Sequence, residues 1–412
     1  MRFVYTFFIL LFQLGIFLAG FFIPKARKRS HGNLHYRTLS RPGADVKVLW
    51  MHCASLGEFE QGRPILEAYK ADNPHVKILL TFFSPSGFDV RKNYELATWV
   101  TYLPFDRPIH IQRFLNYFHP DVAVFVKYEF WHNFINELHK RSVPLYLASG
   151  IFRNDQVFFR PYGGFFRKSL RKFSWFFLQN KESEDLLHSI GVEKCSVSGD
   201  TRFDRVLKIV ENTAEYPAVN AFCGNSKIFI LGSSWPEDEK LVLPVLSELL
   251  PADWKIIIAP HELSENHLNK VADYFDSANV LRYTQMEERS DYDERIMILD
   301  TIGMLSAVYK RAQVAYVGGG FGKGIHNTLE PAAFAIPVIF GPRHKQFQEA
   351  LDILACGGGF TVSKREELQV LMQLLVHNHV YRLNAGHAAG HYVQEQSGAT
   401  TLILNKLKEL NI

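Results

Sequence analysis

The sequence has few cysteines and little net charge, and both features narrow the class of protein. Only four cysteines occur in 412 residues, Cys53, Cys195, Cys223 and Cys356, and no two of them form a CxxC pair. This spacing does not indicate a disulfide framework and is typical of a reducing compartment. The net charge is +4, from 46 basic and 42 acidic residues, so the charge of the whole molecule does not indicate nucleic-acid binding.

Two common phosphate-binding motifs are missing from the glycine-rich segment 318–342, GGGFGKGIHNTLEPAAFAIPVIFGP. A P-loop requires glycine where Val317 stands, and serine or threonine where Gly324 follows Lys323. The dinucleotide motif GxGxxG fails as well, because Gly318 and Gly320 would require a third glycine at the position of Lys323. The segment is therefore neither of these nucleotide sites.

The same segment does contain a strand, a glycine turn and a helix start, the pattern by which an α/β domain holds a nucleotide. Free amides at a helix start bind phosphate, and Glu330 in that first turn can accept hydrogen bonds from a ribose diol. The alternative is that the glycines only form a tight turn. The neighbouring His326, Asn327 and Glu330 favour a nucleotide or sugar-nucleotide site.

One long hydrophobic run stands at the N-terminus. Residues 4–23 carry no charge, and Lys25, Arg27, Lys28 and Arg29 follow them. About 20 apolar residues cross a bilayer core, and a cleavable signal peptide carries its charge before the apolar segment. The pattern predicts an uncleaved anchor, with the catalytic domains on the cytoplasmic side. A helix that lies in the membrane surface is the alternative.

A second segment, residues 158–177, combines aromatic and basic residues. It predicts either a surface for lipid and phosphate or a buried helix and strand with solvated lysines. Nucleic acid is not an expected partner, because no recognised nucleic-acid-binding module is present.

Short apolar runs alternate with amphipathic stretches along the rest of the chain, which predicts parallel sheets in two α/β domains. Five runs precede a polar interval near residues 212–225, and five follow it. The predicted organisation is an anchor and basic flank at 1–30, a first Rossmann-like domain at 31–211, a linker at 212–225, a second Rossmann-like domain at 226–381, and a helical segment at 382–412 that packs back on the first domain.

Two carboxylates of the first half follow predicted strands. Glu58 comes after the strand VKVLWMH and Glu129 after DVAVFVKY, so both are expected at the carboxyl edge of the sheet, where α/β domains place ligands. Glu58 is a candidate general base, and helix capping is its alternative role. Like charges at one wall are expected to raise a pKa toward the range of a base.

No metal site is expected. His261, Glu262 and His267 lack the HExxH spacing, and His387 and His391 have no carboxylate between them. These histidines are interpreted as surface residues.

Eight motifs in order carry a resemblance to a known family: ASLGE, YLPFD, YEFW, GDTRFDRV, GSSWPEDE, APHE, LDTIGML and HNTLEP. In this order they resemble the 3-deoxy-D-manno-octulosonic acid (Kdo) transferases of lipopolysaccharide assembly. The resemblance implies a GT-B fold, in which two facing Rossmann-like domains border a cleft. It also implies CMP-Kdo as donor, a lipid A precursor as acceptor, inversion at the anomeric carbon, inner-membrane lipid as surroundings, and neither metal nor other cofactor.

The resemblance also assigns roles to residues. The catalytic base falls on Glu58, and the positions that support the transition state fall on Glu129 and Arg202. The contacts to CMP fall on Pro260, His261, Ile302, Gly303, Met304, Asn327, Thr328, Leu329 and Glu330.

Three residues depart from the pattern of the family. His261 stands where many members have arginine, Met304 where an acidic residue is common, and Arg202 where lysine is frequent. His261 is a weaker cation than arginine at pH 7. Two other functions stay open: a GT-B transferase that uses a UDP-sugar, and a non-catalytic membrane scaffold.

Overall fold

The chain forms two compact α/β units. The computed structural model describes residues 1–287 and 289–409, so the last three residues of the predicted segment 382–412 lie outside the described residues. One unit comprises residues 1–205 and 397–412, and the other residues 206–396. The predicted segment 382–412 is divided between the two units. Residues 382–396 belong to the second unit, because the helix that contains most of them packs there. Only the final helix belongs to the first unit.

The first unit contains one parallel sheet, flanked by helices. Its strands are β1 (Val48–Cys53), β2 (Lys77–Phe82), β3 (Trp99–Tyr102), β4 (Val122–Val126), β5 (Leu145–Gly150), β6 (Trp175–Leu178) and β7 (Cys195–Val197). Its helices are α1 (Arg2–Ala19), α2 (Pro24–Gly32), α3 (Leu56–Asp72), α4 (Pro85–Arg91), α5 (Pro108–Phe118), α6 (His132–Lys140), α7 (Gly164–Leu170), α8 (Lys181–Ser189) and the start of α9 (Thr201–Glu211).

The second unit repeats this design. It begins within α9 and adds α10 (Pro217–Cys223), β8 (Lys227–Ser234), α11 (Pro236–Leu249), β9 (Trp254–Pro260), α12 (Glu265–Ala272), β10 (Val280–Arg282), β11 (Ile296–Ile298), α13 (Leu305–Val308), β12 (Val314–Val317), α14 (Leu329–Ala333), β13 (Val338–Phe340), α15 (Gln348–Ala355), β14 (Gly359–Thr361), α16 (Arg365–His377) and α17 (His379–Glu395). The last helix, α18 (Ala399–Glu409), packs on α3 of the first unit.

In the described part of the chain, both sheets have seven parallel strands, in the orders β3-β2-β1-β4-β5-β6-β7 and β10-β11-β9-β8-β12-β13-β14. The chain direction across the sheet reverses between β1 and β4 in the first unit, and between β8 and β12 in the second. Such a switch point leaves a crevice beyond the carboxyl ends of the two strands, which is where α/β sheets bind ligands. Each sheet is buried on both faces; Trp50 packs in one apolar cluster, and Met51, which follows it, in another.

The predicted α/β fold with two Rossmann-like units is confirmed. All ten predicted apolar runs are strands, within a few residues at their ends. Four further strands escaped prediction, namely β6, β7, β10 and β14. The last three contain three residues each and include polar residues or glycine, unlike the equally short but wholly apolar β11 and β13, which were predicted.

The apolar N-terminal helix lies against the first unit over much of its length. Tyr5 Oη donates to Asp106 Oδ2 at 2.7 Å, Arg2 Nε to Asn133 Oδ1 at 3.1 Å, and Arg107 Nη1 to Gln13 Oε1 at 3.3 Å. The helix ends at Ala19 rather than continuing to residue 23, and a tight turn leads into α2. Within the described residues it is the one helix long and apolar enough to cross a membrane.

The aromatic side chains of the segment 158–177 are largely core residues. Phe158, Phe173 and Phe176 pack in the apolar cluster on one face of the first sheet, and β6 contributes to that sheet. The buried alternative therefore describes most of its aromatic residues, while Arg160, Lys168 and Arg171 are exposed.

Candidate functional site

The switch point of the first sheet brings the two predicted carboxylates close to one position. Glu58 lies five residues beyond β1, in the first turn of α3, and Glu129 lies three residues beyond β4, the neighbour of β1. Burial raises the pKa of the Cys53 thiol at the end of β1, and the carboxylates of Glu58 and Glu129 add to the increase. Both negative charges therefore act at the end of β1.

Glu129 is held by a chain of hydrogen bonds that runs back through the sheet. Its Oε2 atom accepts from His52 Nε2 at 2.9 Å and from Trp131 Nε1 at 2.5 Å. His52 Nδ1 lies 2.9 Å from Thr81 Oγ1, which accepts from Trp50 Nε1 at 2.8 Å. His52 Nδ1 also lies 3.1 Å from the Thr81 carbonyl oxygen, so both ring nitrogens of His52 have hydrogen-bond partners.

His52 was missed as a site residue by sequence reasoning, although it stands at the carboxyl end of a predicted strand. Its side chain is fully buried, in a strand whose other residues are apolar apart from the terminal thiol. A buried imidazole in such a strand requires a polar partner. The need for a polar partner is therefore the sequence signal by which His52 could have been identified.

Glu58 both caps a helix and remains partly accessible. Its Oε2 atom accepts from the backbone amide of Ser55 at 2.7 Å and contacts the Ser55 hydroxyl, so the predicted capping alternative describes its ground state. No hydrogen bond to its Oε1 atom occurs within the described residues, and the side chain is half-buried. One carboxylate oxygen is therefore available to accept a proton.

Arg202 lies at the start of α9 and is connected to the helix that carries Glu58. Its guanidinium forms an ion pair with Asp200, with Nη2 2.8 Å and Nε 2.9 Å from Oδ2. Gln61, one turn after Glu58 on α3, donates weakly to the same carboxylate at 3.4 Å. Thr201 Oγ1 also donates to the Gln61 carbonyl at 2.5 Å. These contacts join the two predicted positions in one network.

In the second unit, the glycines of the switch point permit close backbone packing. A Cβ atom on Gly318 would lie 2.3 Å from the Ser233 carbonyl oxygen, and one on Gly320 would lie 2.5 Å from Gly341 Cα. Asp238 joins the two loops, since its Oδ2 atom accepts from the amides of Gly319 at 2.8 Å and Trp235 at 3.0 Å. The first role of these glycines is therefore structural, as in the tight-turn alternative.

Three rings stack beside this glycine turn. The Trp235 indole lies 4.4 Å from the His261 ring, and the His261 ring lies 4.6 Å from the His326 ring, centroid to centroid. Trp235 Nε1 donates to His326 Nε2 at 2.9 Å. Burial, with a smaller contribution from His261, lowers the pKa of His326 to about 4. His326 is therefore neutral near pH 7, with its proton on Nδ1, and His261 is the exposed ring of the stack.

The predicted contacts in residues 302–304 present backbone rather than side-chain donors. Gly303 adopts a positive φ of 96°, and Ile302 is 89% exposed. The Met304 side chain is buried in the core, so it cannot replace an acidic side chain in contact with a ligand. Within the described part of the chain, no hydrogen bond uses the amides of these three residues. They can donate to an anion.

The segment 326–330 turns into α14, with Glu330 in its first turn as predicted. Asn327 Nδ2 donates to Glu330 Oε1 at 3.1 Å, and Asn327 Oδ1 accepts from the amide of Leu329. Thr328 is 1% exposed, and its hydroxyl has no partner within the described residues. A buried polar atom without a partner calls for an unseen ligand or water.

One histidine in the predicted set is not a surface residue. His267 is buried, and its Nε2 atom lies 3.1 Å from Glu239 Oε1, which also accepts from the Ser234 hydroxyl. Glu239 is buried as well, and burial raises its pKa. This pair holds α12 to α11. His387 and His391 are exposed, as predicted.

Comparisons with known proteins agree with the motifs. Residues 26–205 match the family described as 3-deoxy-D-manno-octulosonic-acid transferase. The transferase of that name from Rickettsia bellii is 25% identical over 80% of this chain and 79% of its own length. The one from Haemophilus influenzae is 25% identical over 87% of this chain and 86% of its own length.

A solved structure shows the same fold. The UDP-GlcNAc 2-epimerase of Neisseria meningitidis aligns with a TM-score of 0.62 over 88% of this chain and all of its own, at 14% identity. At this identity the likeness concerns the fold, which is GT-B. Residues 26–205 match the Kdo transferase family, and the similarity to the named transferases over most of the chain makes this protein a glycosyltransferase.

Proposed function

We propose that this enzyme transfers Kdo from CMP-Kdo to a lipid A precursor, by inversion and without a metal, at the cytoplasmic surface of the inner membrane. The observation that carries the proposal is the pair of carboxylates at the β1–β4 switch point. Both lie within the residues that match the transferase family. One is half-buried and the other is fixed by a buried imidazole.

The proposed reaction is a single displacement. A hydroxyl oxygen of the acceptor attacks the anomeric carbon of Kdo, the bond from that carbon to the phosphate oxygen breaks, and CMP leaves with the electron pair. Glu58 takes the hydroxyl proton on its available oxygen. Glu129 and Arg202 support the charge that develops on the sugar and on the departing group. One displacement inverts the anomeric carbon.

The second unit supplies the groups that bind CMP. The amides of residues 302–304 and the exposed ring of His261 are donors for the phosphate, and Glu330 accepts from the ribose diol. Burial raises the pKa of Tyr309, and the Glu330 carboxylate adds to the increase, so Glu330 carries its charge close to the Tyr309 hydroxyl. In this proposal, the phosphate of CMP is bound by hydrogen-bond donors of the protein rather than by a metal ion.

The placement of α1 supports attachment in the membrane plane rather than across the bilayer. One face of the helix is occupied by its bonds to Asp106 and Asn133. The opposite face exposes Phe3 at 91%, Phe7 at 56% and Phe8 at 60%. A helix that left the first unit to span the bilayer would forfeit these bonds. An interfacial helix keeps them and buries its aromatic face among lipid chains.

Basic side chains next to α1 supply the charge that such a surface needs. Burial and the cations of Arg2, Lys140 and Lys168 lower the pKa of Lys172. These four basic side chains therefore lie close to one another. Lys140 and Lys168 are exposed. Anionic lipid attracts basic residues near the surface by about 1 kcal/mol each.

Incubation of the full-length protein with CMP-Kdo and a lipid A precursor tests the proposal, with product mass as the measurement. We expect the acceptor mass to increase by whole Kdo units and a chelator to leave the initial rate unchanged. Glu58→Gln should lower kcat by about 10² to 10⁴ with unchanged CMP affinity. Asp72→Asn, at the far end of the same helix, is the matched control. Product from a UDP-sugar alone would establish the alternative donor class.

A further inference from the structure

Three side chains with metal-ligating atoms lie together at the edge of the first sheet, four strands away from β1. Glu184 and His188 share one face of α8 with i, i+4 spacing, and Cys195 begins the edge strand β7. Their ligand atoms all lie within 4.8 Å of one another. Nothing in the proposed transfer reaction uses them.

The geometry is close to that of a tetrahedral zinc site. Cys195 Sγ lies 3.3 Å from His188 Nε2. Zinc–sulfur and zinc–nitrogen bonds of about 2.3 and 2.0–2.1 Å at a tetrahedral angle separate these atoms by about 3.5 Å. Glu193 offers a fourth ligand, because its Oε2 atom lies 3.6 Å from the same nitrogen. A cation would thus require movements of a few tenths of an ångström at the sulfur and nitrogen.

Lys181 is the competitor for this position. Its ammonium lies 2.6 Å from Glu184 Oε2 and 3.4 Å from Asp185 Oδ1. The Lys181 side chain is 70% exposed, so it can rotate into solvent when a cation binds. The partly exposed imidazole of His188 provides the entry path, while Cys195 is buried against the strand.

We propose that Glu184, His188, Cys195 and Glu193 bind one zinc ion that fastens α8 to the edge strand β7. Thiolate and imidazole ligands select zinc over magnesium or calcium. The Cys195 thiol releases its proton to solvent on binding, and no electron is transferred. The ion is structural, so it stabilises the first unit and takes no part in Kdo transfer.

Metal titration of the full-length, chelator-treated protein tests the site. We expect about one equivalent of zinc to bind and to raise the unfolding temperature, and cobalt in its place to give a thiolate-to-cobalt absorption band. Cys195→Ser and His188→Gln should weaken binding at least about tenfold. Cys356→Ser, which removes an exposed thiol elsewhere, should change nothing.

Two surface variants keep the test decisive if the Cys195 variant fails to fold. Glu193→Gln removes an exposed ligand and should weaken zinc binding, whereas Lys181→Ala removes the competing cation and should strengthen it. Unaltered affinity in both, or the same cobalt spectrum in Cys195→Ser as in the wild type, would overturn the proposal. Because transfer activity is measured separately, failure here leaves the proposed function untouched.

Discussion

At the scale of single residues, the proposed role of Glu129 depends on its fixed orientation as well as on its charge. The carboxylate is buried, and the rings of His52 and Trp131 both donate to one of its oxygens. His52 is positioned in turn by Thr81. A carboxylate held this way keeps one geometry through the reaction, which is how an active site stabilises developing charge without reorganising.

We expect His52→Asn to lower kcat by about tenfold to a hundredfold, because the side chain that orients Glu129 is lost. KM for the donor should change little, since the CMP contacts are proposed in the second unit. Adding His52→Asn to Glu129→Gln should cost no further activity, because both changes disable one group. Independent, additive losses would contradict a positioning role. His75→Asn, at an exposed histidine, controls for general effects.

The neutral state of His326 predicts a pH dependence of stability. Its folded pKa, about 4, lies below the ordinary value of 6.5, so the unfolded chain binds the proton first as the pH falls. The stability that the neutral ring contributes is therefore complete above pH 6.5 and is lost between about pH 6.5 and 4. His326→Gln retains an acceptor for Trp235 but does not titrate. Urea unfolding of both proteins at a series of pH values across this range measures the free energy of unfolding. It should change less steeply with pH in the variant than in the wild type, and an equal pH dependence would refute the assignment.

At the scale of elements, α1 is the proposed membrane anchor, and it is also a structural part of the first unit. Tyr5 donates to Asp106, whose pKa burial raises to about 6 against the opposing effect of its hydrogen bonds. Ile9 is buried, and the Phe12 ring stacks near Phe83. Removing the helix would expose these partners, so substitution of its free face is the cleaner experiment.

We expect a triple Phe3, Phe7 and Phe8 to serine variant to lose vesicle binding by more than about a hundredfold, because each buried phenylalanine contributes about 1.5–3 kcal/mol. Sedimentation with anionic vesicles measures this. Tyr162→Ser, at an exposed aromatic residue of the segment 158–177, is the matched control. It should change binding little.

The in-plane orientation has its own readout. A short tag before Met1 should lie on the same side of the membrane as the catalytic units, so protease added to inside-out vesicles should remove both. A tag protected while the catalytic units are cleaved would show a spanning helix.

At the scale of the whole molecule, the proposed donor contacts and the proposed base fall in different units. The proposed CMP contacts all lie in residues 206–396, and the proposed base lies in residues 1–205. At one hundred times its Kd, CMP should stabilise the second unit by about 2.7 kcal/mol. Hydrogen exchange should slow in the segments around His261, residues 302–304 and 326–330. Protection confined to the first unit would contradict the assignment of the donor site.

Much of the fold could be predicted from the sequence, because apolar runs of four or more residues report burial directly. β1 and β4 are such runs, and a glutamate follows each of them within five residues, so Glu58 and Glu129 were identifiable as candidates at strand ends. The short strands β7, β10 and β14 could not be recognised, because their three residues are not a continuous apolar run, whereas the equally short β11 and β13 are wholly apolar.

The sequence by itself determined the two α/β units, the strand ends that carry carboxylates, and the motifs that resemble the transferase family. Only the tertiary structure decided which groups meet. Trp235 and His326 lie 91 residues apart, and His52 and Glu129 lie 77 apart, so no local pattern reports their contact. Such residues meet because strands that are distant in the sequence lie side by side in the sheet. The order of the strands depends on how the connecting helices cross over and pack. The same holds for α1, whose composition predicts an anchor while its bonds to Asp106 and Asn133 hold it along the surface of the first unit.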